Sequence, residues 1–243
     1  LILPEITLSA AGLVLLLVEA FLPAERRERA LEVAGVAVVG ALAVLATLWK
    51  TPANAEGLGG MIWSDSFGLF FRTVLLVVLV MVTLTSVEYV VRHRRPAGEF
   101  YALLFFATAG GMLMSVSGDL IMLYVALELL SLSSYALVGL LRQRETSLEA
   151  SLKYFLNGAL ASALLLFGLS LLFGLTGTTS LREMAALLGE GALSWLGAAA
   201  LVLVAAGLGF KLAVVPFHLW VPDTYQGAPT PVSAFLAVAS EGA

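Results

Sequence analysis

Seven stretches of predominantly apolar sequence follow one another along the chain, at roughly 3–22, 31–49, 67–91, 99–117, 120–141, 150–173 and 192–217, and an eighth begins near 230. Each of the seven is close to the ~20 residues that an α-helix needs to cross a bilayer. Within lipid every backbone polar group must be satisfied internally, which leaves helices and closed barrels as the only spanning structures. The pattern therefore predicts an all-α, polytopic transmembrane helical bundle of about eight helices. Composition agrees: 12% of the 243 residues are charged and 60% are hydrophobic, whereas a soluble domain is about a quarter charged.

The same composition excludes several kinds of chemistry. With no cysteine, the chain offers no disulfide framework, thiolate zinc site or cysteine-ligated iron–sulfur cluster. Two histidines, His93 and His218, are too few for an ordinary haem or metal cage. Neither a Walker loop nor a strand-linked glycine fingerprint is present. We expect no cofactor site and no metal site in this chain. A net charge of −4 without a basic patch gives no reason to expect a nucleic-acid partner; the partner dictated by composition is the lipid bilayer. The chain opens at Leu1 and closes partway through the eighth run, and we expect it to be part of a longer protein.

Arginine and lysine in alternate loops predict orientation. Loops after the first, third and fifth runs hold Arg26, Arg27, Arg29, Arg92, Arg94, Arg95, Arg142 and Arg144; those after the second, fourth and sixth hold Lys50 and Arg182. The first set should face the cytoplasm and the N-terminus should lie outside. Between the sixth and seventh runs, Leu181–Leu188 has an amphipathic pattern that suits a short helix on the membrane surface or an ordinary loop helix. Gly118-Asp119 reads as a tight turn, and Glu19 and Glu88 as interface residues near helix ends.

A few ionisable groups fall inside the apolar runs, where they are costly and mark function by default. Glu128 lies eight residues beyond Leu120, about 12 Å of helical rise into the fifth run. It needs a cationic or hydrogen-bonding partner, and could alternatively be a static tie between helices. Ser131, Ser133, Ser134 and Tyr135 follow it and could line a wet path. Lys211 lies in the seventh run, five residues before Pro216. Proline removes a backbone donor and disfavours a helical residue before it, so carbonyls near 211–213 are freed for water or an ion; a simple kink with a structurally paired lysine is the alternative. Lys153 lies a few residues inside the sixth run, where a lysine can also snorkel. His218 is either a relay group near neutral pH or a packing residue beside Phe217, Trp220 and Tyr225. Glu241 reaches mid-depth in the eighth run. These four groups, Glu128, Lys153, Lys211 and Glu241, all lie in the fifth to eighth runs. We expect a single transmembrane domain, with residues 1–117 as scaffold and 118–243 carrying a proton path. Lysine can lose its proton when buried and arginine effectively cannot, which suits buried lysines to carrying protons.

Phe210-Lys211-Leu212-Ala213-Val214-Val215-Pro216-Phe217-His218-Leu219-Trp220-Val221-Pro222-Asp223, followed by Tyr225-Gln226-Gly227-Ala228-Pro229-Thr230-Pro231-Val232, strongly resembles the antiporter-like membrane subunits of respiratory complex I. These subunits are related to cation/proton antiporter subunits of the Mrp type. The stretches Leu127–Gly139 and Leu152–Ser162 point within that family to the group called N. The resemblance is specific from about residue 120 onward.

It implies a fourteen-helix fold with two inverted five-helix repeats and a broken seventh helix, of which this chain covers the first repeat and little more. It implies that Glu128 and Lys211 are the helix-five glutamate and helix-seven lysine, and that Lys153 is a helix-six lysine of the N group. At the helix-eight position the family usually has lysine, where this chain has Glu241. The implied function is proton translocation within a proton-pumping NADH:quinone oxidoreductase, as a subunit without redox chemistry in the bacterial inner membrane. NAD, FMN, iron–sulfur clusters and quinone would belong to other subunits. Other membrane subunits, similar antiporter-like ones among them, would be its partners. The alternatives are an Mrp-type sodium/proton antiporter subunit, and a structural spacer that leaves four costly charges unexplained.

Overall fold

The apolar runs become helices in the computed structural model, which describes residues 1–21, 29–50, 55–92, 97–189, 194–240 and 242. In chain order these are α1 (Leu3–Phe21), α2 (Arg29–Leu48), α3 (Ser66–Arg92), α4 (Ala97–Met114), α5 (Leu120–Val138), α6 (Glu145–Thr176), α7 (Leu181–Gly189), α8 (Trp195–Lys211), α9 (Val221–Gly227) and α10 (Thr230–Phe235). A π-helical turn over Leu236–Ser240 continues α10. Among the described residues five helices are long and apolar enough to cross a membrane, and three shorter apolar ones cover Glu32–Leu48, Trp195–Lys211 and Thr230–Ser240. Together they match the eight apolar runs. The fold is a polytopic helical bundle.

A helix that is apolar on all sides can face either lipid or other helices, and α4 is the span most covered by other helices. Its Phe100, Tyr101, Leu104, Phe105 and Met112 are fully buried, with α1, α3 and α5 packed against it. The Tyr101 hydroxyl finds a partner in Ser86 of α3 at 3.2 Å. A second apolar cluster, including Leu127, Leu165, Leu169, Leu172 and Ala200, joins α5, α6 and α8. Met184 is buried in this cluster with Leu181 and Leu188 packed against it, so α7 is a loop helix docked on the bundle.

Linkers after α2, α4 and α6 meet at one end of the bundle. Residues Ala55–Gly57 (β1) and Ile62–Ser64 (β2) form an antiparallel hairpin, an element too short to announce itself in the sequence. Trp63 N–H donates to Val116 at 2.8 Å and Gly118 N–H to Met61 at 2.9 Å. Leu120 N–H donates to Thr179 at 2.9 Å and Leu181 N–H to Gly118 at 3.0 Å. Arg182 adds a cation–π contact 3.9 Å from the Trp63 ring centroid. Asp119 is the expected turn residue, and its Oδ1 caps α5 by accepting from Ile121 N–H at 2.8 Å. Alternate linkers thus gather at one end.

At the opposite end Glu19 departs from its expected place at the interface. It is buried, because its Oε2 accepts the Gly98 N–H at 2.9 Å in the first turn of α4, where backbone donors lack partners within the helix. Glu88 is exposed as expected. A further ion pair was not foreseen. Arg72 of α3 and Glu5 of α1 are 0% and 2% exposed and meet at 2.8 Å, and Arg72 Nη2 also donates to the Leu1 carbonyl at 3.0 Å.

Candidate proton-path site

The seventh apolar run does not form one helix. α8 stops at Lys211, five residues ahead of Pro216, and a series of turns leads to α9. The break therefore begins at the lysine itself and Pro216 lies within it, joined to Val215 by a cis peptide. Local chemistry explains the early stop: Val215 cannot stay helical before a proline, and Ala213 takes a left-handed φ of 51°. Val214 N–H bonds to Gly209 at 2.9 Å and Ala213 N–H to Phe210 at 3.2 Å. The Trp220 indole N–H also donates to Phe210, at 3.0 Å. The carbonyls of Lys211, Leu212 and Ala213 accept no backbone N–H in this turn, in keeping with the freed carbonyls expected there.

Lys211 is 8% exposed. Its ammonium lies 3.5 Å from the Tyr135 hydroxyl and sits over aromatic faces, 5.1 Å from the Tyr135 centroid, 5.9 Å from Tyr154 and 6.0 Å from Phe210. Such quadrupolar faces attract a cation in a desolvated place. The walls brace one another. Trp220 stacks on Tyr154 at 4.4 Å and 12°, and Tyr135 meets Tyr154 edge-on at 4.6 Å. Tyr135 lies against Gly158 of α6 so closely that a Cβ there would overlap its hydroxyl. Glycine at 158 is therefore what leaves room for the phenol.

Glu128 is half-buried on α5, seven residues before Tyr135 and so on the same helical face. Its Oε1 accepts from Ser162 Oγ of α6 at 2.5 Å. It makes no ion-pair contact with Lys211, whose polar neighbour is Tyr135. Ser131 and Ser134, expected as candidates for a wet path, are buried and turned back on their own helix, donating to the Leu127 carbonyl at 2.5 Å and the Leu130 carbonyl at 2.7 Å. Tyr135 alone of that set reaches the lysine.

A cavity of about 1040 Å³ runs from Lys211, Leu208 and Ser240 to Asp65, Asp119 and Arg182 near the hairpin end of the bundle. Lys153 lies elsewhere. It is 45% exposed and bonded to Glu149 Oε1 at 2.7 Å and to Asp223 Oδ2 at 2.8 Å, with no contact to Glu128 or Lys211. His218 is half-buried in the turn between α8 and α9, and its buried Nδ1 has no hydrogen-bond partner. Glu241 lies outside the described residues. Among the described residues no group of three or more His, Cys, Asp or Glu is placed to hold a metal. The structure thus sets Lys211 against Tyr135 of α5, with Glu128 two turns earlier on the same helix held by Ser162, and keeps Lys153 apart with Asp223. The aromatic walls Tyr154, Phe210 and Trp220 were not singled out from sequence, since aromatic residues in apolar helices read as packing.

Comparison with known proteins places this geometry. Residues 117–243 match the family described as NADH:quinone oxidoreductase/Mrp antiporter, TM. The chain is 44% identical over 242 residues to NADH-quinone oxidoreductase subunit N of Geobacillus kaustophilus (strain HTA426), covering 99% of this chain and 48% of that protein. It is 41% identical over 264 residues to NADH-quinone oxidoreductase subunit N 2 of Symbiobacterium thermophilum, covering 100% and 51%. The chain thus spans about half the length of the curated relatives it matches. Among solved structures it is similar to a chain of respiratory complex I from Thermus thermophilus with bound Aureothin, with a TM-score of 0.79 and 35% identity over 98% of this chain and 51% of that one. A chain of the Mrp complex from Dietzia sp. DQ12-45-1b, 24% identical with a TM-score of 0.73 over 98% of this chain and 46% of that one, shares the fold. The chain belongs to the NADH:quinone oxidoreductase/Mrp antiporter transmembrane family.

Proposed function

We propose that this chain forms part of a proton-translocating membrane subunit of NADH:quinone oxidoreductase, working beside other membrane subunits of that complex, similar antiporter-like ones among them. The observation that carries the reading is Lys211. It is a lysine buried at a helix break, held by a phenol and aromatic faces, with the carboxylate of Glu128 two turns along the helix that carries the phenol. Quinone reduction elsewhere in the complex would move charge along buried groups. Glu128 and Lys211 would alternate between a paired and a separated arrangement, the lysine holding its proton when paired and releasing it when the carboxylate withdraws. Tyr135 would keep the ammonium in place between these states.

The subunit does no redox chemistry in this reading, and NAD, FMN, iron–sulfur clusters and quinone stay with other subunits. It sits in the bacterial inner membrane with its N-terminus outside and its arginine-rich loops cytoplasmic. Residues 1–117 serve as scaffold, and 118–243 carry the path through Glu128, Lys211, Lys153, Glu241 and, as a relay, His218. The fourteen-helix whole belongs to the same proposal. The relatives named subunit N weigh against the sodium/proton antiporter alternative. Lys211→Ala in the full-length protein, assembled in its complex, tests the reading. Loss of NADH-driven acidification in inverted vesicles, with the complex assembled, supports it; undiminished acidification overturns it.

A further inference from the structure

Half-helix α9 has seven residues. Helices shorter than ~12–15 residues are marginal by themselves, so what α9 packs on decides where it sits. It is fastened to α6 at three levels. At its far end a Cβ on Gly227 would come within 2.6 Å of the Thr146 carbonyl oxygen, so backbone lies against backbone. Just before its first residue, Trp220 stacks on Tyr154. Between these, Asp223 bonds to Lys153 at 2.8 Å. The end fastenings are apolar contacts and close packing; the middle one is ionic and separable.

We infer that Asp223 is a positioning residue of the proton path: its ion pair with Lys153 sets the seating of α9, and with it the aromatic wall that Trp220 and Tyr154 build beside Lys211. The inference rests on the proton-translocation reading above. Lys153 and Tyr154 are consecutive on α6, so the tie and the stack act on the same turn. Lys153 has a second carboxylate, Glu149, at 2.7 Å one turn back, and Arg144 borders the same small cavity of about 210 Å³. The ammonium therefore keeps a counter-charge when Asp223 lets go, which makes the tie easy to open. Both partners are about half exposed, at 45% and 49%, and an exposed pair of this kind adds little to folding stability. A device that costs the fold little and reaches the wall of the buried lysine is suited to adjustment.

The test uses the full-length protein, assembled in its complex, in inverted membrane vesicles energised with NADH. Asp223→Asn and Lys153→Gln are made singly and together, and acidification is compared with NADH oxidation. Each single change should lower acidification about 2- to 10-fold, with a double variant no worse than the poorer single, as for two residues acting as one unit. Asp223→Glu should recover most of the loss. If single removal hampers assembly, the charge-swapped chain, Lys153→Asp with Asp223→Lys, should restore it. Normal acidification in Asp223→Asn overturns the inference. So do losses that multiply in the double variant, which mark two residues acting independently, or a swapped chain that assembles no better than the singles. Lys211→Ala measured in parallel separates the two levels. If it pumps normally, the proton-path reading itself fails; if it does not pump while Asp223→Asn does, only the role of Asp223 fails.

Discussion

The Lys211 ammonium lies 3.5 Å from the Tyr135 hydroxyl, and this contact takes the place of an ion pair with Glu128. The phenol is neutral, so it holds the lysine without cancelling its charge. Tyr135→Phe keeps the ring and removes the hydroxyl. The expected outcome is an assembled complex whose acidification of inverted vesicles falls roughly 2- to 10-fold, the scale of one ordinary hydrogen bond of about 0.5–1.5 kcal/mol, as suits a contact as long as 3.5 Å. Dye-quench measurements normalised to NADH oxidation check it.

Gly158 gives that phenol its room. Gly158→Ala puts a methyl group where the hydroxyl now lies. Overpacking of this kind costs about 1–3 kcal/mol, and the least resistant movement displaces Tyr135 from the lysine. Reduced thermal stability of the subunit together with reduced pumping is expected. The double change Gly158→Ala with Tyr135→Phe should regain only part of the stability, because the ring Cζ still lies 2.5 Å from the added carbon, and should leave pumping low, since the hydroxyl is then absent in any case.

Ser162 is the hydrogen-bond donor to Glu128, at 2.5 Å. Ser162→Ala removes the bond and frees the carboxylate to turn toward Lys211. A hydrogen bond to a charged group contributes about 1.5–3 kcal/mol, enough to move a balance between two arrangements. Ser162→Thr keeps the donor and should pump as the parent does, whereas Ser162→Ala should not. Comparing the two in the same vesicle assay separates the bond from the volume.

The Glu5–Arg72 pair lies away from the proposed path, and its removal should affect assembly before transport. Taking away one member of a buried pair leaves an uncompensated charge and costs about 3–5 kcal/mol, while replacing both by apolar residues is near neutral. Arg72→Met alone should deplete the subunit from purified complex. Arg72→Met with Glu5→Leu should restore its amount, with pumping intact. Subunit abundance by quantitative mass spectrometry is the measurement.

Helix number and position were legible from sequence because lipid imposes one dominant rule, a run of apolar residues of fixed length. The same rule made Glu128 and Lys211 conspicuous, since a charge in such a run stands out by its cost. What stayed hidden was whatever depends on contact between runs. The buried pairing of Arg72 with Glu5 joins residues 67 positions apart, and a burial this complete cannot be read from one helix. Glu19 looked interfacial because it sits near a helix end, yet a neighbouring helix start takes it up. Lys153 carried no mark to show that its partners would be Glu149 and Asp223. The break was visible as Pro216 but was placed late, because a proline acts on the residues before it and the helix here had already closed at the lysine.

That closure has an electrostatic consequence. Lys211 is the last residue of α8, and the aligned peptide dipoles of a helix gather the equivalent of about half a negative charge at its C-terminal end. The ammonium therefore lies between two sources of negative potential of different kinds. The helix end is permanent: it neither protonates nor moves while α8 keeps its shape. Glu128 is a side chain, held by Ser162 Oγ at 2.5 Å rather than by the lysine. A lysine so placed always retains part of its counter-charge, and in the proposed mechanism the carboxylate would have only to supply or withdraw the remainder.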